Sequence, residues 1–191
     1  MNYREGSARL AEYRRQITAI RAKMREARDA TDPEEVADYV FTIFIGTVRL
    51  SELFRDTPDL IVIHNMGSSC PNCTLWADGF NAVYDHLRNR AAFVVSSPDP
   101  PDLQKKFAEG RGWRFPMVSH HGTPFAADKG YRSTDGGWLP GISVFGRERG
   151  RILRVSDTGF SPGDDFCTLW HIFDLLPGGA LGWQPKYRYA P

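Results

Sequence analysis

The sequence has few features of a secreted, membrane-spanning or nucleic-acid-binding protein. Three cysteines among 191 residues are too few for a disulfide-stabilised scaffold. No hydrophobic run approaches the roughly 18 residues of a membrane-spanning helix. The net charge of +1 indicates no basic surface for nucleic acid or for an anionic membrane. The first residues, MNYRE, lack the basic-then-apolar order of a signal peptide. We therefore expect a cytoplasmic protein with neither a nucleic-acid nor a membrane partner.

The remaining composition is typical of a globular protein, with 41% hydrophobic and 25% charged residues. A chain of this length buries a core of its own. The segment Thr31-Asp32-Pro33 marks a boundary, because proline restricts the residue before it and cannot continue a helix. We expect an N-terminal helical extension over residues 1–32 and one domain over residues 33–191.

The extension has the pattern of an amphipathic helix over residues 8–29. Its apolar residues recur at intervals of three and four, namely Leu10, Tyr13, Ile17, Ile20, Met24 and Ala27. Most other residues of the segment are Arg, Glu, Lys or Gln. This apolar seam packs either on the body of its own domain or on a second subunit, and the pattern does not decide between them. Packing on a second subunit predicts a homodimer that forms through the N-terminal helix.

A Cys-x-x-Cys motif lies between a predicted strand and a predicted helix. The apolar run 60–63 precedes the motif, and an amphipathic run with apolar residues at 4-3-4 spacing follows it. The next apolar run, 92–96, is short enough to be a second buried strand. This strand–helix–strand order predicts parallel strands with a right-handed crossover. A Cys-x-x-Cys in this context is typical of a redox-active dithiol.

The chemistry of such a dithiol follows from its place at a helix N-terminus. Cys70 is expected at the cap, where unpaired N–H groups and the helix dipole stabilise a thiolate. Pro71 fits the first helical position, where its missing N–H is not needed. Cys73 lies one turn further on the same side, where it can resolve a mixed disulfide. The strand residue His64 could assist proton transfer, although a structural hydrogen bond is the simpler expectation.

A proline precedes the predicted β-hairpin near the end of the chain. The hairpin arms are residues 142–145 and 151–156, with a charged turn between them. Leu139 and Pro140 stand immediately before the first arm, about seventy residues after the dithiol. We predict a cis peptide bond at Pro140, with the backbone before it presented to an incoming substrate. A further helix is predicted to begin at Pro162, with Ser161 as its cap.

These stretches together resemble the thioredoxin-like fold, and in particular an uncharacterised bacterial family of predicted dithiol-disulfide oxidoreductases. The resemblance is carried by DYVF at 38–41, LSELF at 50–54, CPNC at 70–73, WAD at 76–78, GWRFP at 112–116 and PGISVF at 140–145. It implies an α/β fold with a central mixed β-sheet, helices on both faces, an N-terminal helix and a short N-terminal β-hairpin. It also implies Cys70 as the attacking thiol, Cys73 as the resolving thiol and Pro140 as the cis-proline. His120 and His121 depart from the family pattern.

The function expected from these residues is thiol-disulfide exchange on a protein or small-molecule disulfide. Pro71, Leu139 and Pro140 are the expected substrate-binding residues, and no bound cofactor is needed. A separate reductant must recycle the oxidised dithiol.

A thiol peroxidase of the peroxiredoxin type is a rival interpretation, since residues 113–131 resemble an insertion in such proteins. Its characteristic motif is Pro-x-x-x-Thr/Ser-x-x-Cys. Counted back from Cys70, the proline position holds Ile63 and the hydroxyl position holds Gly67.

A zinc site and a non-catalytic binding module are also compatible with the sequence. Cys167 and His171 are four residues apart on the predicted last helix and share a face. With Cys70 and Cys73 they would form a Cys3His set, which suits Zn²⁺. A domain that retains the fold without the chemistry fits the pattern as well, because a fold does not determine a function.

Overall fold

A computed structural model describes residues 1–190 of the chain. The chain divides into two compact units, the first over residues 1–34 and the second from residue 35 onward. None of the helices in the described part of the chain combines the length and the apolar content needed to cross a bilayer.

The first unit consists of a long helix, α1 (Tyr3–Asp29), and its flanking residues. Asn2 caps the helix, because the Asn2 side chain accepts from the Glu5 N–H at 3.0 Å while the Glu5 carboxylate accepts from the Asn2 N–H at 3.0 Å. This capping box starts the helix ahead of the predicted first residue. No residue of α1 is buried, and its apolar seam is exposed.

The second unit, described as far as residue 190, is built from short strands and helices. The strands are β1 (Glu34–Val36), β2 (Val40–Thr42), β3 (Thr47–Arg49), β4 (Asp59–His64), β5 (Ala92–Ser97), β6 (Met117–Ser119), β7 (Gly141–Glu148) and β8 (Arg151–Gly159). The first residue of β1, Glu34, is also the last residue of the first unit. The helices are α2 (Leu50–Leu53), α3 (Pro71–Ala82), α4 (Tyr84–Arg90), α5 (Pro101–Arg111), α6 (Phe125–Asp128) and α7 (Thr168–Phe173).

These strands form one mixed sheet in the order β1-β8-β7-β4-β5-β6-β2-β3. β4, β5 and β6 run parallel, which confirms the predicted strand–helix–strand unit. β7 pairs antiparallel with β4 on one side and with β8 on the other, as the predicted hairpin requires. β2 and β3 form the expected short N-terminal hairpin, with Gly46 at φ 83° in its turn.

The core consists of two clusters, one on each face of the sheet, and successive side chains of β4 point to them in turn. Ile61 and Ile63 face the cluster that contains both cysteines of the dithiol, residues of α3 and α4, and Trp170 of α7. Leu60 and Val62 face the other cluster, to which α2 and α6 contribute. Helices therefore cover both faces, and the α/β thioredoxin-like architecture is confirmed.

The last helix differs from its prediction. It begins at Thr168, whereas Ser161 and Pro162 lie before it, outside any helix. The Asp164 carboxylate accepts hydrogen bonds from the N–H groups of Ser161 and Phe166, at 3.0 and 2.9 Å. These local bonds compete with helical pairing of the backbone, so the helix starts later.

Candidate active site

The loop that connects β4 to the dithiol is held by hydrogen bonds to two side chains, one within the loop and one from the segment after β5. The Asn65 carboxamide oxygen accepts from the Gly67 N–H at 2.8 Å, and Asp99 accepts from the Ser68 N–H at 2.6 Å. Gly67 has φ 102°, and a Cβ at this position would lie 2.9 Å from the Asp99 carboxylate. Both the dihedral angle and the space therefore require glycine here. The loop defines where α3 begins.

Cys70 is the N-cap residue of α3, as the sequence predicts. Its Sγ accepts a hydrogen bond from the Cys73 N–H at 3.0 Å, and Pro71 occupies the first helical position. The hydrogen bond from the Cys73 side chain and the backbone N–H groups of Asn72 and Cys73 lower the pKa of Cys70 to about 7, against the opposing effect of burial. A thiol at this position is substantially ionised at neutral pH.

Cys73 has the opposite electrostatic environment. It is 3% exposed, and its hydrogen bond to Cys70, together with burial, raises the pKa of Cys73 far above that of an ordinary thiol. The two thiols are thus separated into one that ionises easily and one that keeps its proton. All three cysteines of the chain are free thiols in this structure.

The dithiol is nearly closed to solvent. Cys70 is only 9% exposed. Two cavities in the described part of the chain, of about 460 and 200 Å³, lie elsewhere and have neither cysteine in their walls. The geometry suits a reaction with a small group, or with a substrate that displaces part of the surrounding surface.

Leu139 and Pro140 lie at the same end of the sheet as the dithiol, because Gly141 pairs with His64 at the end of β4. The predicted cis bond at Pro140 is wrong, since residues 1–190 contain no cis peptide bond. The Leu139 N–H donates to the Tyr131 carbonyl at 3.0 Å, and the Pro140 carbonyl accepts from the Phe160 N–H at 2.9 Å. These two bonds hold a trans backbone, which a tertiary amide also prefers.

His64 lies on the face of the sheet opposite to the dithiol, so proton transfer to Cys70 is not its role. One of its ring nitrogens shares a hydrogen bond of 2.9 Å with the Ser143 hydroxyl. The His64 ring also stacks on the Tyr131 ring, with 3.6 Å between the ring centroids. His120, also buried, shares a similar bond of 2.9 Å with Ser96. Burial lowers the pKa of both histidines, to about 4 for His120, so both are neutral at pH 7.

A polar network behind the dithiol helix was not evident in the sequence. Asp78 of α3 forms an ion pair with Arg111 and accepts from the Trp113 indole N–H at 2.8 Å. Arg111 also donates to the Tyr187 carbonyl at 2.7 Å. Asp78 therefore ties α3 to the end of α5 and to the segment that follows it.

The C-terminal tail reaches the neighbourhood of the dithiol through this network. Burial, followed by the electrostatic effect of the neighbouring Cys70/Cys73 pair, raises the pKa of Tyr187. The Tyr187 ring packs edge-on against the Phe107 ring, with 6.2 Å between the ring centroids. A tail of this composition has no periodicity to predict its position, so only the structure reveals Tyr187 as a neighbour of the site.

The four residues of the hypothetical zinc site do not come together. Among residues 1–190 no group of three or more His, Cys, Asp or Glu side chains is arranged to hold a metal ion. Cys167 is buried in the same core cluster as the dithiol, whereas His171 is exposed and lies 3.4 Å from the Asp165 carboxylate. Cys167 is the N-cap residue of α7 and has an extended backbone, so the helical spacing that would align it with His171 begins only at Thr168.

Solved structures with this architecture include several peroxiredoxins. Peroxidoxin BcpB from Mycobacterium tuberculosis has 28% sequence identity and a TM-score of 0.56, over 68% of this chain and 86% of that protein. A peroxiredoxin Q mutant from Xanthomonas campestris has 17% identity and a TM-score of 0.57, over 68% and 87%. A PrxQ mutant from Xylella fastidiosa has 14% identity and a TM-score of 0.58, over 70% and 89%.

These likenesses place the second unit in the thioredoxin superfamily. No curated protein sequence matches the chain. The model of a bacterial family matches residues 2–187, almost the full length. The chain belongs to this family, DUF899, which is described as a bacterial protein of unknown function.

Proposed function

We propose that the protein is a thiol-based redox enzyme that cycles between a Cys70/Cys73 dithiol and a Cys70–Cys73 disulfide. The observation that carries this proposal is the place of Cys70 at the N-cap of α3, where its Sγ accepts a hydrogen bond from the Cys73 N–H at 3.0 Å. Cys70 ionises near pH 7, whereas Cys73 keeps its proton. Nucleophilic attack requires a thiolate, and release requires a second thiol close by.

In thiol-disulfide exchange, the Cys70 thiolate attacks one sulfur of a substrate disulfide and displaces the other sulfur as a thiolate. The Cys73 thiol, after losing its proton to the departing thiolate, attacks Cys70 Sγ and displaces the second substrate sulfur as a thiolate, which takes a proton from solvent. The substrate disulfide is reduced to two thiols, and the dithiol is oxidised to a disulfide. An external dithiol reductant then restores Cys70 and Cys73.

Peroxide reduction is the second candidate, and two observations favour it. The structural relatives named above are peroxiredoxins, and a nucleophile that is 9% exposed is more accessible to a hydroperoxide than to a folded protein disulfide. The Cys70 thiolate would attack the terminal peroxide oxygen, which breaks the O–O bond and forms a sulfenic acid. The departing oxygen takes a proton from solvent and leaves as an alcohol or water. Attack by Cys73 would then form the disulfide and release water.

The peroxiredoxin motif does not fit either cysteine. From Cys70, its proline and hydroxyl positions hold Ile63 and Gly67; from Cys73, they hold Met66 and Cys70 itself. The usual hydroxyl beside the attacking sulfur is thus missing. This absence is the reason for keeping disulfide exchange as the first candidate.

Single-turnover kinetics with the reduced protein test the two candidates directly. Glutathione disulfide, hydrogen peroxide and an organic hydroperoxide are each added to equal concentrations of wild type, Cys70→Ser and Cys73→Ser. Both candidates predict that Cys70→Ser is inactive. Accumulation of a mixed disulfide in Cys73→Ser supports exchange, whereas accumulation of a sulfenic acid supports peroxide reduction. Equal reactivity of wild type and Cys70→Ser with every oxidant would overturn both.

A further inference from the structure

The apolar seam of α1 is flanked by positive charge on both sides. In a heptad frame with Leu10 at position a and Tyr13 at position d, the flanking e and g positions hold Ser7, Arg9, Arg14, Gln16, Arg21, Lys23 and Arg28. Most of these residues are basic and none is acidic. The acidic residues of the helix occupy c and f positions on its outer face, namely Glu5, Glu12, Glu26 and Asp29.

This charge pattern disfavours pairing of α1 with another α1. In a parallel coiled coil each g residue meets an e residue of the partner, and in an antiparallel pair e meets e and g meets g. Basic side chains therefore meet in either arrangement, for example Arg9 against Arg14, or Lys23 against Arg28, in a parallel pair. Like charges at such positions repel. The seam requires a partner that is apolar in the middle and acidic at its edges.

The exposure of the seam argues that such a partner exists. Its large apolar residues, Leu10 to Met24, are 44–57% exposed. A long helix derives most of its stability from packing of an apolar face. With eight basic and four acidic side chains, α1 carries a charge of +4. A surface that covers it should carry the opposite sign.

The described part of the second unit exposes an apolar patch of that kind, here called the C-terminal patch and defined by Ile172, Leu175, Leu176 and Leu181. These side chains are 51–82% exposed. The surrounding segment, residues 157–182, contains four Asp and neither Lys nor Arg. Asp165 and Asp174 are exposed within it. Several exposed apolar side chains in one short segment, accompanied by exposed acidic residues, are typical of an interaction surface.

We propose that α1 of one copy docks on the C-terminal patch of a second copy, and that the reciprocal contact completes a two-fold symmetric dimer. A two-fold arrangement uses the same pair of surfaces twice. It buries both exposed apolar surfaces and places the basic flanks of α1 against Asp165 and Asp174. The patch belongs to the segment whose inner residues, Cys167 and Trp170, share a core cluster with the dithiol. Docking therefore braces the segment next to the site.

Isotope-mixed cross-linking of the full-length protein tests the proposal. Unlabelled and ¹⁵N-labelled protein are mixed, equilibrated and treated with a carbodiimide, which joins lysine amines to carboxylates. Lys23 is the one lysine of α1 and occupies a flanking position. We expect peptides that join Lys23 of one isotope to Asp165 or Asp174 of the other. Links confined to a single isotope, or links from Lys23 to Glu12 or Glu26 of another α1, would overturn the proposal.

Charge reversal provides an independent test by light scattering. Arg14→Glu/Arg21→Glu should raise the dimer dissociation constant at least tenfold, and Asp165→Lys/Asp174→Lys should do the same. An equimolar mixture of these two variants should recover the dimer, because each α1 then meets a patch of opposite charge. Arg15→Glu/Arg25→Glu, on the outer face, is the matched control and should stay dimeric. Failure of the mixture to recover, a monomeric wild type, or a monomer that binds phosphatidylserine vesicles would contradict the proposal.

Discussion

The backbone N–H of Cys73 points at the Sγ of Cys70 at 3.0 Å. One turn of helix thus brings both the backbone N–H and the thiol of Cys73 close to the Cys70 sulfur, where both stabilise its negative charge. The Cys73 side chain contributes the largest effect on the pKa of Cys70, and burial opposes it. The reactivity of Cys70 depends on Cys73 before any substrate is present.

Replacing the Cys73 thiol separates its contribution from that of the backbone. In Cys73→Ala the side-chain hydrogen bond is lost, so the pKa of Cys70 should rise from about 7 toward the ordinary thiol value of about 8.5. In Cys73→Ser a hydroxyl donor remains, so the pKa should stay near 7. Thiolate absorbance in the far ultraviolet, followed against pH, measures both. The same pKa in the Ala and Ser variants would contradict this account.

The loop before the dithiol is a position where one added methyl group should destabilise the folded protein. Gly67→Ala places a Cβ 2.9 Å from Asp99 at φ 102°, and should lower the free energy of unfolding by about 1–3 kcal/mol. Gly79→Ala is the matched control, because Gly79 lies in the interior of α3 and the new Cβ would meet no neighbouring atom of the described chain within 4 Å. The free energy of unfolding of Gly79→Ala should rise by about 0.5–1 kcal/mol. Urea unfolding measures both free energies. A Gly67→Ala variant with the wild-type free energy of unfolding would contradict the close packing of Gly67 against Asp99.

The sequence predicts the features that depend on neighbours along the chain. The strand before Cys70, the parallel strand after the helix, the late hairpin and the place of Cys70 at a helix cap all follow from local periodicity and capping. These features position the dithiol, which is why the centre of the site could be found without a structure.

Features that depend on distant contacts could not be found in this way. The side-chain hydrogen bonds of Asp78 join residues 33 and 35 positions away, and no local pattern encodes them. The trans bond at Pro140 depends on backbone bonds to Tyr131 and Phe160. His64 faces away from the dithiol only because the strand alternates, and its register is fixed by pairing with Gly141. In each case tertiary pairing decided the outcome.

Arg111 should control the mobility of the C-terminal tail, because it joins Asp78 to the Tyr187 carbonyl. Loss of both contacts in Arg111→Ala should increase the rate of tryptic cleavage at Lys186 and Arg188 several-fold. Arg114→Ala is the control, since Arg114 is half exposed and pairs with Asp85, away from the tail. Equal cleavage rates in the two variants would mean that Arg111 does not anchor the tail.

Two buried histidines, His64 and His120, should make the fold sensitive to acid. Their pKa values in the folded protein lie below the unfolded value of about 6.5, so the unfolded chain binds more protons at moderately acidic pH. The contribution of both histidines is fully present above about pH 6.5 and falls as the pH drops below that value. For His120 the loss is spread over the range down to about pH 4. For His120 the loss is up to about 3 kcal/mol.

Unfolding free energies between mildly alkaline and acidic pH measure this effect. His120→Gln keeps a polar group for Ser96 but has no titrating nitrogen, so its stability should fall less steeply than that of the wild type. The slope with pH is the informative quantity, whatever the stability of the variant at alkaline pH. Identical slopes in the wild type and His120→Gln would contradict the assignment of acid sensitivity to this residue.

The central claim is that Cys70 and Cys73 form one reversible redox couple. Its most direct test is equilibration of the full-length protein in glutathione buffers of graded potential, followed by acid quenching, alkylation of free thiols and mass spectrometry. Cys70 and Cys73 should become protected together in a single two-electron transition, while Cys167 should be alkylated at every potential. Absence of a Cys70–Cys73 disulfide at every potential, in protein that remains folded, would contradict it.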